Sequence, residues 1–185
     1  MGKIELISSS IRIGRNSHRI ALFLERLASS VPEHACSILD LNTLSLPLSE
    51  ERMEYLDRVP EGVEQFARRV QRADGIVLIV PEYNGGYPAS LKNAIDLLHK
   101  EWRTKPVAFA TVSTGAFGGS QVITSLQFVL WKMGALTVPG PMHVPFVDGA
   151  FGPDGTPNEP EIWEERGGAL LKRLGSYIRA ATHLR

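Results

Sequence analysis

The 185-residue chain carries 20 Lys and Arg against 20 Asp and Glu, so it has no net field to gather nucleic acid or an anionic membrane surface. Apolar residues make up 43% of it, enough for a full core, which excludes intrinsic disorder. Cys36 is the only cysteine, which excludes an intramolecular disulfide and a thiolate metal cluster.

In chain order the pattern alternates strand and helix. Residues 4–8 read as a strand, entered without the charged region, apolar stretch and cleavage site of a leader. A polar loop, 9–16, follows. Ile20, Phe23, Leu24, Leu27 and Ala28 then mark the buried face of a helix, with Ser17 as its expected N-cap. Residues 36–41 read as a second strand, 42–60 as irregular, and Val63, Phe66, Ala67 and Val70 as a second helix. The unalternating Ile-Val-Leu-Ile-Val within 75–80 predicts a strand covered on both faces. Pro88 is placed to open a helix carrying Leu91, Ile95, Leu98 and Trp102. Residues 106–113 form the next strand, Val122 to Met133 the next helix, and 135–138 a fifth strand. The Gly- and Pro-rich stretch 140–160 reads as a long surface loop, before a last helix with Leu170, Leu174, Tyr177, Ile178 and Ala181. The longest apolar run, 76–81, is far short of a bilayer span. The expectation is a cytoplasmic protein of one α/β domain over 1–185, an open doubly wound parallel sheet with helices on both faces.

Ligands bind such sheets outside the carboxyl ends of the strands, which singles out three loops. The first combines Ser10, Arg12, Arg15, Asn16 and Ser17 with a helix N-terminus. Free amides, the helix dipole and guanidinium groups together favour a phosphate, although Ser and Asn capping a plain βα loop would look similar. Gly14 stands alone there, so the loop is neither a dinucleotide GxGxxG fingerprint nor a Walker A loop. The second, Pro81-Glu82-Tyr83-Asn84-Gly85-Gly86-Tyr87-Pro88, is held rigid at both ends and can present backbone amides to the edge of a flat ring. An ordinary tight turn remains the alternative. The third pairs Ser113, Gly115 and Gly118 with Phe117 and could flank a planar ring from the other side.

Competing chemistry is thin. The five His residues show no metal-ligand spacing, and Ser120 lacks the following glycine of a nucleophile elbow. Asp40 reads as a helix-flanking or ion-paired acid, Lys92 and Asp96 as an i,i+4 pair, and Glu50, Glu51 and Glu54 as a solvated face.

The segment 81–96, running from Pro81-Glu82-Tyr83-Asn84 to Asn93-Ala94-Ile95-Asp96, resembles the signature of the NADPH-dependent FMN reductase family. That family includes quinone, azo and chromate reductases. Ser10-Ile11-Arg12 with Ser17 is similar to its phosphate loop, Leu46-Pro47-Leu48 to its segment after the second strand, and Ser113 with Gly115, Gly118 and Gly119 to its third loop. The resemblance implies a flavodoxin-like three-layer sandwich with sheet order 2-1-3-4-5. It implies FMN as cofactor, NADPH or NADH as co-substrate, and a quinone, another small-molecule electron acceptor or free flavin as the oxidant. Ser10, Arg12, Arg15, Asn16 and Ser17 would hold the phosphate; Pro81, Glu82, Tyr83, Asn84 and Gly85, with Ser113, Gly115 and Gly118 opposite, would line the ring. It implies no catalytic side chain, and a homodimer or homotetramer, with Tyr87 and the 140–160 loop as candidates for the contact. The chain departs from the family pattern at Ser9, usually glycine, at the added Gly14-Arg15, and at Gln127, often arginine. A flavodoxin-type carrier without nicotinamide turnover and a flavin-free interaction module are the rival expectations.

Overall fold

The apolar run Gly75–Pro81 (β3) is buried at every residue and lies at the centre of a parallel sheet. Side chains alternate across a strand, so an unbroken apolar run supplies both faces of the sheet at once. Val77 and Ile79 enter one core, Ile76, Leu78 and Val80 the other. The computed structural model describes residues 2–30 and 34–184.

On one face of the sheet lie α1 (Ser17–Ser29) and α6 (Pro160–Ala181), packing Phe23, Leu24, Leu170 and Leu174 against β1 (Gly2–Ser8), β3 and β4 (Pro106–Val112). The opposite face is covered by α2 (Glu61–Arg72), α3 (Ala89–Leu97) and α4 (Val122–Lys132), which bury Phe66, Leu91 and Leu126 against Ile76, Leu78 and Phe109. Each such side chain contributes about 1.5–3 kcal/mol by leaving water. The parallel order is β2 (His34–Asp40), β1, β3, β4, β5 (Leu136–Thr137), as expected. No described helix is long and apolar enough to cross a membrane.

Several expectations are corrected. The 140–160 stretch is not a plain loop: it contains β6 (Met142–Val144), which pairs with Ala110 to Val112, and α5 (Val147–Ala150). β5 and β6 are two halves of one lane along β4, interrupted around Pro139 and Pro141, which have no amide to continue the ladder. Trp102 is not on α3, which stops at Leu97; it sits in a short 3-10 turn, Lys100–Trp102, and its indole N–H donates to the Ile95 carbonyl at 3.2 Å. Pro88 sits at the boundary before α3 rather than in its first turn. Asn16, not Ser17, occupies the N-cap position of α1, and its side chain makes no capping bond.

Candidate functional site

Parallel topology sets the carboxyl ends of β1, β3 and β4 side by side, and the three loops leaving them converge there. They enclose a cavity of about 310 Å³. Arg12, Ile13, Gly14, Arg15, Asn16 and Ser17 line it from the first loop, Pro81, Glu82 and Tyr83 from the second, and Val112, Ser113 and Thr114 from the third, with Val147 of α5 closing one side.

The first loop has little regular hydrogen bonding of its own. The amides of Ile13, Gly14, Asn16 and Ser17 meet no acceptor among the described residues, and they gather at the positive end of α1. Ser17 Oγ is buried there without a hydrogen-bond partner among the described residues. The Asn16 amide group, instead of capping the helix, donates to Asp148 at the start of α5.

The two arginines differ in what they have left to offer. Arg15 grips Asp40, at the carboxyl end of β2, with both terminal nitrogens, and donates to the Ser10 carbonyl at 2.9 Å. Its charge is therefore already compensated. Burial pushes the Asp40 carboxyl up, but bonds from Arg15 and the Asn42 amide, with the Arg15 and His18 charges, outweigh this and hold it below its ordinary value. His18 Nδ1 lies 3.0 Å from Ser8 Oγ, and burial followed by the Arg15 charge lowers its pKa. Arg12 forms no ion pair among the described residues. Its guanidinium carbon instead sits 3.5 Å from the centroid of the Tyr83 ring.

The second loop is a two-residue hairpin. Tyr83 and Gly86 exchange backbone bonds of 2.7 and 3.0 Å, and Asn84 and Gly85 between them have φ of +54° and +78°. Both central residues at positive φ define the turn that Asn-Gly favours. It leaves the Asn84 and Gly85 amides without an acceptor among the described residues. The third loop is pinned to the lane beyond β4: the Ser113 amide donates to Val144 at 3.1 Å and the Val147 amide to Ser113 at 3.2 Å.

The cavity thus brings together Arg12, Arg15, Asn16, Ser17, Pro81, Glu82, Tyr83 and Ser113 of the expected residues, while Ser10, Asn84, Gly85, Gly115 and Gly118 stay outside its lining. Ser10 is fully buried and acts from behind, its hydroxyl 2.6 Å from Tyr83 Oη. Gly115 is exposed at the loop tip. Gly118 is a buried turn residue at φ +57°, where an added Cβ would fall 2.9 Å from the Val144 nitrogen. Ser9, the departure at a usual glycine, is accommodated because its hydroxyl donates to the Ile79 carbonyl at 2.7 Å. Sequence reading did not name Ile13, Gly14, Val112, Thr114 and Val147 in the lining or Asp148 behind it, and it read Asp40 as a helix-flanking or ion-paired acid, which its pair with Arg15 bears out, without placing it at the site. Asp40 could have been found from the parallel register, which sets it beside Ser8 at the mouth of the first loop.

Chemically, one end of the cavity is built for an anion: unpaired amides, a helix start, an orphaned hydroxyl and an uncompensated guanidinium. Pro81, Val112 and Val147 add apolar surface to the same lining, and the Tyr83 ring lies beneath the Arg12 guanidinium. Residues 2–147 match the model of the NADPH-dependent FMN reductase family. The chain is 36% identical over 141 residues to an NAD(P)H-dependent FMN reductase of Saccharomyces cerevisiae, covering 69% of this chain and 73% of that protein. It is 32% identical over 133 residues to a quinone reductase of Escherichia coli, covering 68% and 71%. Among solved structures, the flavoenzyme NAD(P)H:(acceptor) oxidoreductase FerB of Paracoccus denitrificans superposes with a TM-score of 0.82 at 22% identity, covering 98% of this chain and 99% of that one, which shares the fold. With a family match that runs through all three loops, the chain belongs to the NADPH-dependent FMN reductase family.

Proposed function

We propose that the chain, as one FMN-binding unit over 1–185, is an oxidoreductase that takes reducing equivalents from NADPH or NADH and delivers them to a quinone or similar small-molecule acceptor. The Ser17 hydroxyl carries this reading. It is buried at the start of α1, in the lining of the cavity, and has no hydrogen-bond partner among the described residues. Leaving a buried hydroxyl unpaired costs about 1–3 kcal/mol, a cost that a phosphate oxygen at this position removes. The relatives' names, FMN reductase and quinone reductase, support the same assignment.

FMN, when bound, supplies the redox chemistry, accepting hydride from nicotinamide and handing electrons on to the acceptor. The chain's own residues bind and orient. Ser17, Arg12, Asn16 and the free amides of the first loop hold the phosphate, while Arg15, clamped by Asp40, keeps Ser10 and the loop backbone in place. Pro81, Glu82 and Tyr83 line the ring on one side, with Ser10 fixing the Tyr83 hydroxyl. Asn84 and Gly85 offer amides to its polar edge, Ser113 and Gly115 bound the other edge, and Gly118 holds their loop against β6. No side chain is required as nucleophile. The reading extends to a homo-oligomer, for which α4 exposes Phe128 and Trp131 with ring centroids 6.0 Å apart.

The test is titration of purified protein with FMN, followed by steady-state NADPH oxidation with a quinone. We expect saturable FMN binding that raises the melting temperature, and turnover that depends on the acceptor. Protein that takes up no FMN would overturn the reading; FMN-loaded protein that never oxidises NADPH or NADH would leave an electron carrier.

A further inference from the structure

A second and larger concavity, about 630 Å³, shares a wall with the cavity just described. Ser113, Thr114 and Val147 face the first, while Ala116, Phe117, His143 and Pro145 face the second. Backbone bonds from Phe146 to Gly115 and from Val147 to Ser113 tie the two strips of this wall together. Phe146 itself is held at φ +47°, a left-handed conformation that strains a non-glycine residue and concentrates at functional sites.

The groove is built for negative charge. Its lining contains Arg166 and Arg173 and no carboxylate. Neither guanidinium forms an ion pair among the described residues. Arg173 is preorganised: its Nη1 donates to the Pro139 and Gly140 carbonyls at 3.2 and 2.8 Å, which leaves Nε and Nη2 without a protein acceptor among the described residues. Gly140 permits this close approach, since a Cβ there would fall 2.2 Å from Nη1. Arg166 lies over the Trp163 ring, 5.0 Å from its centroid, and is exposed. The two arginines are seven residues apart on α6, about 10 Å along the helix axis, so they can meet separate phosphoryl groups of one ligand. His143 adds no charge near neutral pH, because burial lowers its pKa. Phe117, 73% exposed on the groove, offers a flat apolar surface on which a base can stack.

We propose that this groove holds the phosphate-bearing adenosine half of the nicotinamide dinucleotide, while the nicotinamide reaches across the wall into the first cavity. The inference rests on the flavin reading above, and it assigns Arg166 and Arg173 as the residues that recognise the co-substrate. With a flavin in the first cavity and the nicotinamide laid against it, the rest of the dinucleotide extends onto a neighbouring surface. The groove across the wall is such a surface, and its charge complements the phosphates.

The experiment is calorimetric titration of the FMN-loaded protein with 2′-phospho-ADP-ribose and with ADP-ribose, which have no nicotinamide to react. Wild type is expected to bind 2′-phospho-ADP-ribose, and Arg166→Ala and Arg173→Gln each to weaken it about tenfold or more. FMN affinity should be unchanged in both, and the steady-state effect should appear in the KM for NADPH. Weakening confined to 2′-phospho-ADP-ribose places the 2′-phosphate on these arginines; equal weakening of both probes places the pyrophosphate there. Equal binding of 2′-phospho-ADP-ribose by wild type and the double variant, or no binding by wild type, overturns the proposal. Arg166 is exposed, so Arg166→Ala keeps the test decisive if Arg173→Gln lowers the melting temperature. Repeating the titration without FMN separates the two readings. Arg166-dependent binding by protein that takes up no flavin sinks only the flavin assignment; flavin turnover with a silent titration sinks only the groove.

Discussion

Arg12 sits over the Tyr83 ring, its guanidinium carbon 3.5 Å from the centroid, so the cation of the first loop rests on the aromatic ring of the second. Ser10 completes the link by reaching Tyr83 Oη at 2.6 Å. A stacked guanidinium retains its edge donors for a phosphate while its face is fixed. We therefore expect Arg12→Ala to weaken FMN binding by about 1–3 kcal/mol, as the loss of a charged hydrogen bond does. Riboflavin, which lacks the phosphate, should be much less affected. Flavin fluorescence titrations of both ligands check this, and an unchanged FMN affinity would place the phosphate elsewhere.

Ser17 makes the opposite trade. Its hydroxyl is buried and has no partner among the described residues, so Ser17→Ala removes an unsatisfied group from the flavin-free protein. Stability without ligand should stay the same or rise by up to about 1 kcal/mol, while FMN affinity falls by about 1 kcal/mol. Chemical denaturation with and without FMN reads both signs. A variant less stable in both states would mean that the hydroxyl has a protein partner.

Asp40 gives the site a pH limit. Its folded pKa is depressed, so the stability it contributes is present above the ordinary carboxylate value, near pH 4, and is lost as pH falls through the lower folded value. Asp40→Asn should flatten the acid limb of a stability-against-pH curve below about pH 4. It should also weaken FMN binding at neutral pH by freeing Arg15 from Asp40 and from the Ser10 carbonyl. An acid limb identical to wild type would remove Asp40 from this role.

Cys36 should be inert in the native protein. Burial, followed by the Glu25 and Glu5 charges, pushes its thiol up to about 11. Iodoacetamide at pH 8 should label it far more slowly than in denaturant, as mass spectrometry can follow. Because the folded value is raised, the stability linked to this thiol is present below its unfolded value and lost as pH climbs towards about 11.

Gly118 acts through backbone shape. Its φ is +57° and a Cβ would press on the Val144 and Pro145 nitrogens at 2.9 and 3.0 Å. Gly118→Ala should destabilise the protein by about 1–3 kcal/mol in thermal or urea unfolding. Wild-type stability would show that the turn relaxes at no cost.

Much of this was legible in one dimension. The unbroken apolar strand at 75–80 and the helical spacing of Ile20, Phe23, Leu24 and Leu27 state local rules, and β3 and α1 follow them. Asn84-Gly85 likewise dictated its own turn. What escaped depends on contacts between distant segments. Three residues of β6 form a strand only because Ala110 to Val112 lie beside them, and glycine and proline on either side hid the lane. Ser17 lost the capping position to Asn16, whose side chain was drawn away by Asp148, 132 positions along the chain. Asp40 is an unremarkable acid until the register of β1 and β2 sets it in reach of Arg15.

The break between β5 and β6 also bears on solubility. A sheet edge with a long run of unpaired amides templates a foreign strand. Here the outer lane is 2 residues, then a proline-bounded gap, then 3 residues. Neither half is long enough to recruit a strand from another molecule, and Arg173 occupies the carbonyls of the gap between them, so this edge resists aggregation.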